Sequence, residues 1–446
     1  MTTLRKFLKE MDEKGEILAI KEKFSPRFQI PAVIQKFDGG PVLLFKKVRG
    51  YKNRVVANVC GTRERLCFAL ETNVENLYSR LFEAWEKPVE PKIVDDAPVK
   101  EVTEKPNLGR IPVLTHFEKD AGAYITSAVI SARSPDGEIE NVSIHRLQVL
   151  DETRLAIRLV PRHLFKLWNL AKQENTDLDV AISIGVHPAV MLAASSPLPF
   201  GTSEFAVANT LLNNELRLVK CRYVDAYAVA DAEIVLEGRI STREQTLEGP
   251  LVDITGTYDI QRSQPVVEVV SVMHREDYLY QALLPSGSEH KLLMGLPREA
   301  LIWRSVANVV PVVKAVNLSV GGCGWLHAFI SIEKQTEGDA KNAILAAFSA
   351  HPSLKHVIVV DSDINVYDSN EVEWAVATRF QADKDLVIIR NVRGSTLDPS
   401  ADQKNGLTTK MGIDATKPLA EHKEKFEKAR IPLDKETENF LQRFKA

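Results

Sequence analysis

Cysteine is scarce in this 446-residue chain. The four thiols, Cys60, Cys67, Cys221 and Cys323, include no pair at CxxC spacing, and a chain this long buries enough core to stand without disulfides. They are read as reduced, in a cytoplasmic compartment. Long apolar runs are missing too. None approaches the roughly 18 residues that a membrane helix needs, and the N-terminal MTTLRKFLKEMDEKGE lacks the apolar core of a secretion signal. A surplus of positive charge is also lacking. Lys plus Arg number 57 against 60 Asp plus Glu, a formal net charge of −3, which argues against nucleic-acid binding by phosphate neutralisation. What is present is ordinary for a folded protein: 44% hydrophobic and 26% charged residues, far from the composition of a disordered chain. At about 100–200 residues per domain, the length predicts two to four domains.

Hydrophobic periodicity divides the chain into thirds. Leu4, Phe7, Leu8 and Met11 recur at helical spacing within residues 3–14, and β-branched or apolar runs at 17–20, 41–45 and 55–59 predict strands. Thr62 is placed to cap a helix starting in TRERLCFAL. The polar, proline-spaced stretch 87–107 reads as an extended linker closing an N-terminal α+β domain, residues 1–108. The middle domain, 109–300, is rich in short Val/Ile runs with turn signals such as SPDGE between them. That is the pattern of an antiparallel sheet or barrel, with helical inserts at 163–174 and 202–212. The last domain, 301–446, alternates strands (306–316, 329–332, 356–360, 386–389) with helices (339–349, 370–379), an α/β pattern with a mixed or mostly parallel sheet. A charged helix is predicted over 417–446, packed on its own domain or on a partner subunit.

Three segments of the middle domain carry candidate chemistry. In NVSIHR, Asn141, Ser143 and His145 share one strand face and Arg146 falls on the other; a bend near Ile144 would be needed to bring Asn141 and Arg146 to one pocket. The plain alternative is a half-buried strand. In SSPLPFGTSE (195–204), small hydroxyls precede a helix start suited to a phosphate, although such a loop is more often only a loop. Glu204 there would repel an anion unless a cation stood between them. Asn141, His163 and Glu204 would suit a divalent ion such as Mn²⁺ or Mg²⁺, but spacing alone does not select this trio. In EGPLVDITG (248–256), Glu248 and Asp253 lie five residues apart in a Gly/Pro-bent loop. Near Arg146, one could stay ionised while the other carried a proton; the plain reading is a solvated turn.

Taken together, GTRERLCFAL (61–70), ENVSIHRLQV (140–149), SSPLPFGTSEFAVANTLL (195–212), EGPLVDITGTY (248–258), VVDSDINVYDSNEVEWAVATRF (359–380) and TKMGIDAT (409–416) resemble the UbiD family of reversible decarboxylases, nearly end to end. The resemblance implies an α+β fold: an N-terminal α+β domain, a central split β-barrel flavin-binding domain and a C-terminal α/β domain with a terminal oligomerisation helix. It implies prenylated FMN as cofactor, Mn²⁺ (or Mg²⁺) held by Asn141, His163 and Glu204, and a nearby K⁺. It gives Arg146, Glu248 and Asp253 the catalytic roles, and it places Thr126, Ser143, Ile144, Arg146, Ala194, Ser195, Ser196, Glu204 and Lys410 around the cofactor. A flavin prenyltransferase would supply that cofactor, and a homodimer or homohexamer is expected. Many members carry Gly and then Asp-His inside the EGP loop. Here Val252-Asp253-Ile254 stands instead, a departure that argues against an aromatic, ubiquinone-type substrate.

Losing CO₂ from an α,β-unsaturated acid leaves charge on an sp² carbon with nowhere to spread, so a cofactor must supply the sink. Asp253 is assigned the proton delivery and Glu248 the tuning of Arg146, with the two roles exchangeable. The compact, Lys/Glu-rich, lightly aromatic chain would suit an archaeal member acting on anhydromevalonate phosphate, an aliphatic enoate with a phosphate. The alternatives are a decarboxylase of an aromatic or heteroaromatic acid and, from another class, an FMN-dependent NAD(P)H reductase.

Overall fold

The computed structural model describes residues 2–419, 423–426, 428–429 and 431–442. Leu4, Phe7, Leu8 and Met11 are buried along one face of the helix Leu4–Glu13, whose start is capped by the Thr3 hydroxyl accepting from the Lys6 N–H. The helix leads into a four-stranded sheet ordered Ile17–Phe24, Val42–Val48, Arg54–Ala57 and Leu279–Gln281. The fourth strand arrives from far along the chain, so a distant segment completes the first unit. Thr62 caps the helix Arg63–Ala69 as its sequence predicts. Residues 87–107 do more than link. Lys92–Val94 pairs with Arg217–Lys220, and Val102–Glu104 pairs with Arg262–His274, so this extended backbone bonds into sheets.

Six antiparallel strands close into a barrel, in the order Ile234–Glu248, Leu178–Ile184, Tyr124–Arg133, Glu140–Val149, Arg154–Ile157 and Arg262–His274, the last pairing back onto the first. Closure leaves the wall strands without free edges. One apolar core runs from Phe45 and Val55 of the first unit into Ile130, Ile182, Leu236 and Val267 of the barrel.

The third unit is a five-stranded mixed sheet ordered Val313–Leu318, His327–Ile332, His356–Asp361, Leu407–Ala415 and Leu386–Arg393. Its inner pairs are parallel and its outer pairs antiparallel. The expected strand at 306–316 is corrected. A 20-residue helix, Ser288–Ala307, buries Val306 with Leu293, Leu296 and Ile302, and the strand starts only at Val313. The continuous helix expected over 417–446 is corrected as well. A single 3-10 turn at Lys423–Phe426 and a helix at Lys435–Gln442 occupy the described part, because Pro418 and Pro432 interrupt helical backbone. Residues 420–422, 427, 430 and 443–446 of that expectation lie outside the described residues.

Glu233, fully buried, fastens the first helix to the barrel. It accepts from Arg5 Nε and Nη2 at 2.8 Å each and from the Leu279 N–H at 3.0 Å. Without Arg5, Arg275 Nε at 3.7 Å would be the remaining ion-pair partner of Glu233. Breaking a buried pair by removing one partner is costly, so Arg5→Met should destabilise the chain by about 3 kcal/mol. Thermal unfolding should show Tm lower by roughly 3 °C; an unchanged Tm would mean the pair contributes nothing net.

Candidate active site

Arg146 sits on the barrel strand Glu140–Val149. Ile125 pairs with Leu147 and Ala128 with His145, so Thr126 and Ser127 together stand opposite Arg146. The strand does not bend at Ile144 to bring Asn141 and Arg146 to one pocket; the irregularity is a bulge on the neighbouring strand, opposite Arg146. Two hydroxyls fix it: Thr126 Oγ1 donates to the Leu283 carbonyl and Ser127 Oγ to the Gln281 carbonyl, each at 2.6 Å.

Four hydrogen bonds spread the Arg146 guanidinium over three carboxylates. Nε and Nη2 donate to Glu248 at 2.9 and 3.0 Å, Nη1 donates to Asp253 at 3.1 Å, and Nη2 also donates to Asp259 at 3.0 Å. Nothing in the spacing of the sequence marks Asp259. It comes in on a hairpin: Leu251–Val252 pairs with Tyr258–Asp259, with Leu251 opposite Asp259. The hairpin tip turns at Asp253–Gly256, where the Gly256 N–H donates to the Asp253 carbonyl at 2.8 Å and glycine takes φ +75°. Tyr124 and Gln148 hold the base of the loop, both accepting from the Gly249 N–H at 3.1 Å.

Arg158 shares Asp259 Oδ2 with Arg146, and Arg262 pairs with Asp259 Oδ1. Three carboxylates (Glu248, Asp253, Asp259) thus meet three guanidiniums (Arg146, Arg158, Arg262), and 3 − 3 leaves the network neutral. Burial opposes the charged form of Arg146, yet its carboxylates raise its pKa further and keep it a cation. Burial pushes Asp259 up, but the hydrogen bond from Arg262 and the charges of Arg146 and Arg262 outweigh it and hold the carboxyl below its usual range.

The three acids are not equivalent. Glu248 has a side chain 0% exposed and a bidentate grip, the strongest geometry for such a pair. Asp253 is 20% exposed and has one bond to Arg146. Its other oxygen accepts from the Ile254 N–H at 2.6 Å. Glu248 is thus the more firmly held acid and Asp253 the less firmly held one.

A second cluster lies at the start of the same strand, five residues and about 16 Å from Arg146. Asn141 Nδ2 donates to Glu204 Oε1 at 3.0 Å, and the Val142 N–H donates to Oε2 at 2.7 Å. Ser203 caps the helix Glu204–Leu211, which fixes Glu204 in its first turn. Ser143 Oγ donates to Asn141 Oδ1 at 3.1 Å and lies 3.0 Å from His145 Nε2, so the shared face predicted for Asn141, Ser143 and His145 is present. Burial pushes Glu204 up to about 8. Such a carboxyl fits a site built for a cation. His163 opens the helix His163–Gln173 and its ring packs edge-on against Phe200, 5.3 Å away, on the loop that leads to Glu204. Burial, with Lys166 and Arg162, lowers its pKa, so its imidazole is neutral and ligand-competent. Among the described residues no group of three or more His, Cys, Asp or Glu forms a metal cluster. A cation site here would need the Asn141 amide turned over, because its Nδ2 faces Glu204 and its Oδ1 accepts from Ser143.

The remaining candidates divide. Ala194, Ser195 and Ser196 end the helix that begins at Pro188, and the two serine hydroxyls donate back to the Met191 and Leu192 carbonyls at 2.8 and 2.9 Å. Ile144 packs on the core beneath that helix. Lys410 belongs to a different neighbourhood in the third unit, where Nζ donates to the Pro352 carbonyl at 2.7 Å and burial lowers its pKa to about 8.

The barrel thus carries an arginine–carboxylate network toward one end of a wall strand and a buried carboxyl–amide cluster at the other. Three models of 3-octaprenyl-4-hydroxybenzoate carboxy-lyase match in order: the N-terminal domain at 8–85, the Rift-related domain at 92–288 and the C-terminal domain at 291–415. The chain belongs to the UbiD family and is a carboxy-lyase. It is 48% identical to an anhydromevalonate phosphate decarboxylase of Methanocaldococcus jannaschii, over 93% of this chain and 97% of that protein. It is 44% identical to one of Methanothermobacter thermautotrophicus, over 95% and 99%. An evolved dimeric form of the UbiD-class enzyme HmfF from Pelotomaculum thermopropionicum, solved in complex with prFMN, is 41% identical with a TM-score of 0.91, covering 97% of each chain. Family membership sets the reductase reading aside.

The buried carboxyl of Glu204 has a consequence for the metal-free protein. Its folded pKa of about 8 lies above its ordinary 4.5, so its protonated form favours folding. That contribution is complete below the ordinary value and disappears as pH rises through about 8. Metal-free protein should therefore melt at a lower temperature near pH 8.5 than near pH 6.5, and Glu204→Gln should shrink the difference. An identical pH slope in the variant would contradict this reading of the site.

Proposed function

We propose that this chain decarboxylates an aliphatic α,β-unsaturated acid bearing a phosphate, of the anhydromevalonate phosphate type, with prenylated FMN as cofactor. The observation that carries the mechanism is the unequal hold of Arg146 on its acids. The substrate carboxylate takes the place of Asp253 on Arg146 Nη1, while the bidentate bond to Glu248 keeps the guanidinium aimed. Displaced Asp253 picks up a proton and, once CO₂ has left, delivers it to the carbon that carried the carboxylate. Asp259, fixed by Arg158 and Arg262, keeps Arg146 from following the substrate. When bound, prenylated FMN supplies the electron sink that a vinylic carbon lacks. Asn141, His163 and Glu204 would hold Mn²⁺ or Mg²⁺ for the cofactor phosphate, with K⁺ nearby. A flavin prenyltransferase would supply the cofactor, and a homodimer or homohexamer in the cytoplasm would be the working form. Support for the substrate comes from the relatives of that name, which span nearly the whole chain, and from the Val252-Asp253-Ile254 tip, which lacks the Asp-His of many family members.

Protein produced beside a flavin prenyltransferase should release CO₂ from anhydromevalonate phosphate and leave an aromatic acid untouched. Turnover of the aromatic acid alone would overturn the substrate assignment. In the same preparation Asp253→Asn should lower kcat by about 10²–10⁴-fold, the range of general acid catalysis, with cofactor absorbance per chain unchanged. A variant that turns over normally would remove Asp253 from the proton-delivery role.

A further inference from the structure

The hairpin that carries Asp253 and Asp259 is held at its base, its tip and its middle. Tyr124 and Gln148 hold the base at Gly249, and Ser286 Oγ holds the tip by donating to the Ile254 carbonyl at 3.1 Å. Between them a short strap, residues 115–121, grips both strands. The Ala121 N–H donates to the Pro250 carbonyl at 2.9 Å, and the Lys119 N–H donates to Tyr258 Oη at 3.0 Å. Tyr258 precedes Asp259 on one strand and pairs with Val252, the residue before Asp253, on the other. The far end of the strap is tied to the first unit, where the Phe28 N–H donates to the Thr115 carbonyl at 3.0 Å. A shift of the strap would therefore move both acids relative to Arg146.

One side chain folds the strap. Asp120 Oδ2 accepts from the His116 and Phe117 N–H groups at 3.1 and 2.8 Å, and the Asp120 N–H closes the turn on the Phe117 carbonyl at 3.1 Å. The Asp120 side chain has no exposed surface, and neither has that of His116, whose Nδ1 lies 4.0 Å from Oδ2. Burial lowers the His116 imidazole to about 3, so it is neutral. Asp120 Oδ1 and both His116 ring nitrogens are buried without a hydrogen-bond partner among the described residues. Polar atoms left so are costly. A loop that needed only rigidity would do better with apolar side chains, and departures of this kind collect at functional sites.

We infer that Asp120 is a positioning residue for the decarboxylation: its carboxylate folds the strap, and the strap keeps Asp253 and Asp259 in place on Arg146. This rests on the roles proposed above for Arg146 and Asp253. A loosened hairpin weakens the hold of Asp253 on Arg146 Nη1, so the substrate carboxylate meets less competition there. The same loosening takes the proton-delivering acid out of line with the carbon it serves. Loss of Asp120 therefore falls on kcat and spares KM, a split that general damage to the site does not produce.

Cofactor-loaded wild type, Asp120→Ala, Asp120→Asn and Tyr258→Phe test the strap. Each is assayed on the phosphorylated enoate, and each is followed by hydrogen–deuterium exchange at the hairpin, where the Asp253 N–H donates to the Thr257 carbonyl at 3.0 Å. Asp120→Ala should lower kcat by about 10–100-fold, the loss that a small misplacement of a reacting group brings, with KM not raised and cofactor absorbance per chain unchanged. Its hairpin amides should exchange about tenfold faster. Asp120→Asn keeps an acceptor oxygen for the two N–H groups, so it should return kcat to within about threefold of wild type and restore protection. Tyr258→Phe removes one bond between strap and hairpin; it should lower kcat less than Asp120→Ala and add little when the two are combined, because both act through the strap. Normal turnover or unaltered exchange in Asp120→Ala, a raised KM, or an Asp120→Asn as slow as Asp120→Ala would each overturn the inference. If Asp120→Ala does not fold, Tyr258→Phe decides, and wild-type kcat and exchange in that variant overturn it. If wild type leaves the phosphorylated enoate untouched, yet exchange quickens in Asp120→Ala and recovers in Asp120→Asn, the hold of the strap on the acids stands and the substrate reading falls.

Discussion

The account depends on a salt bridge that cannot relax: Arg146 gripping a Glu248 whose side chain has no exposed surface. Burying an ion pair costs several kcal/mol per ion in desolvation, and the attraction repays it only when the geometry is good and the remaining donors are used. Here Nε and both Nη nitrogens of Arg146 are bonded, and the bidentate face fixes its plane. The remaining contact, Nη1 to Asp253, belongs to the most exposed of the three acids. The result is a rigid cation with one replaceable partner. The proposed function uses that arrangement: the group that would orient the carboxylate stays in place while the acid beside it changes protonation state.

The fold serves this arrangement through position rather than mobility. A closed barrel supplies a wall strand long enough to carry the Asn141 cluster at one end and Arg146 at the other. The bulge opposite Arg146 turns it toward the 248–259 hairpin, and the hairpin brings two acids back to one guanidinium. Because the hairpin tip also packs through Ile254 on Trp325 and Leu326, the third unit forms part of the same cleft.

Much of this was legible in the chain, and the exceptions have physical causes. The cap at Thr62 was readable because it is local: its hydroxyl bonds an N–H three residues on. The shared face of Asn141, Ser143 and His145 was readable because a strand alternates. The approach of Asn141 to Glu204, 63 residues away, follows from no periodicity, and only resemblance to a family suggested it. Asp259 was invisible because its role comes from hairpin register, which the turn at Gly256 sets. The helix Ser288–Ala307 escaped notice because it contains Pro297 and is buried on several sides, so it shows neither a clean amphipathic stripe nor an uninterrupted run. The strand expected at 306–316 was the visible half of that same error.

The most direct measurement is a crystal structure of the cofactor-loaded protein with a saturated, unreactive analogue of the acid. The account predicts the analogue carboxylate on Arg146 Nη1, Asp253 swung away from that nitrogen, and the bidentate Glu248 contact unchanged. Asp253 still bonded to Arg146, with the carboxylate lodged elsewhere, would contradict it.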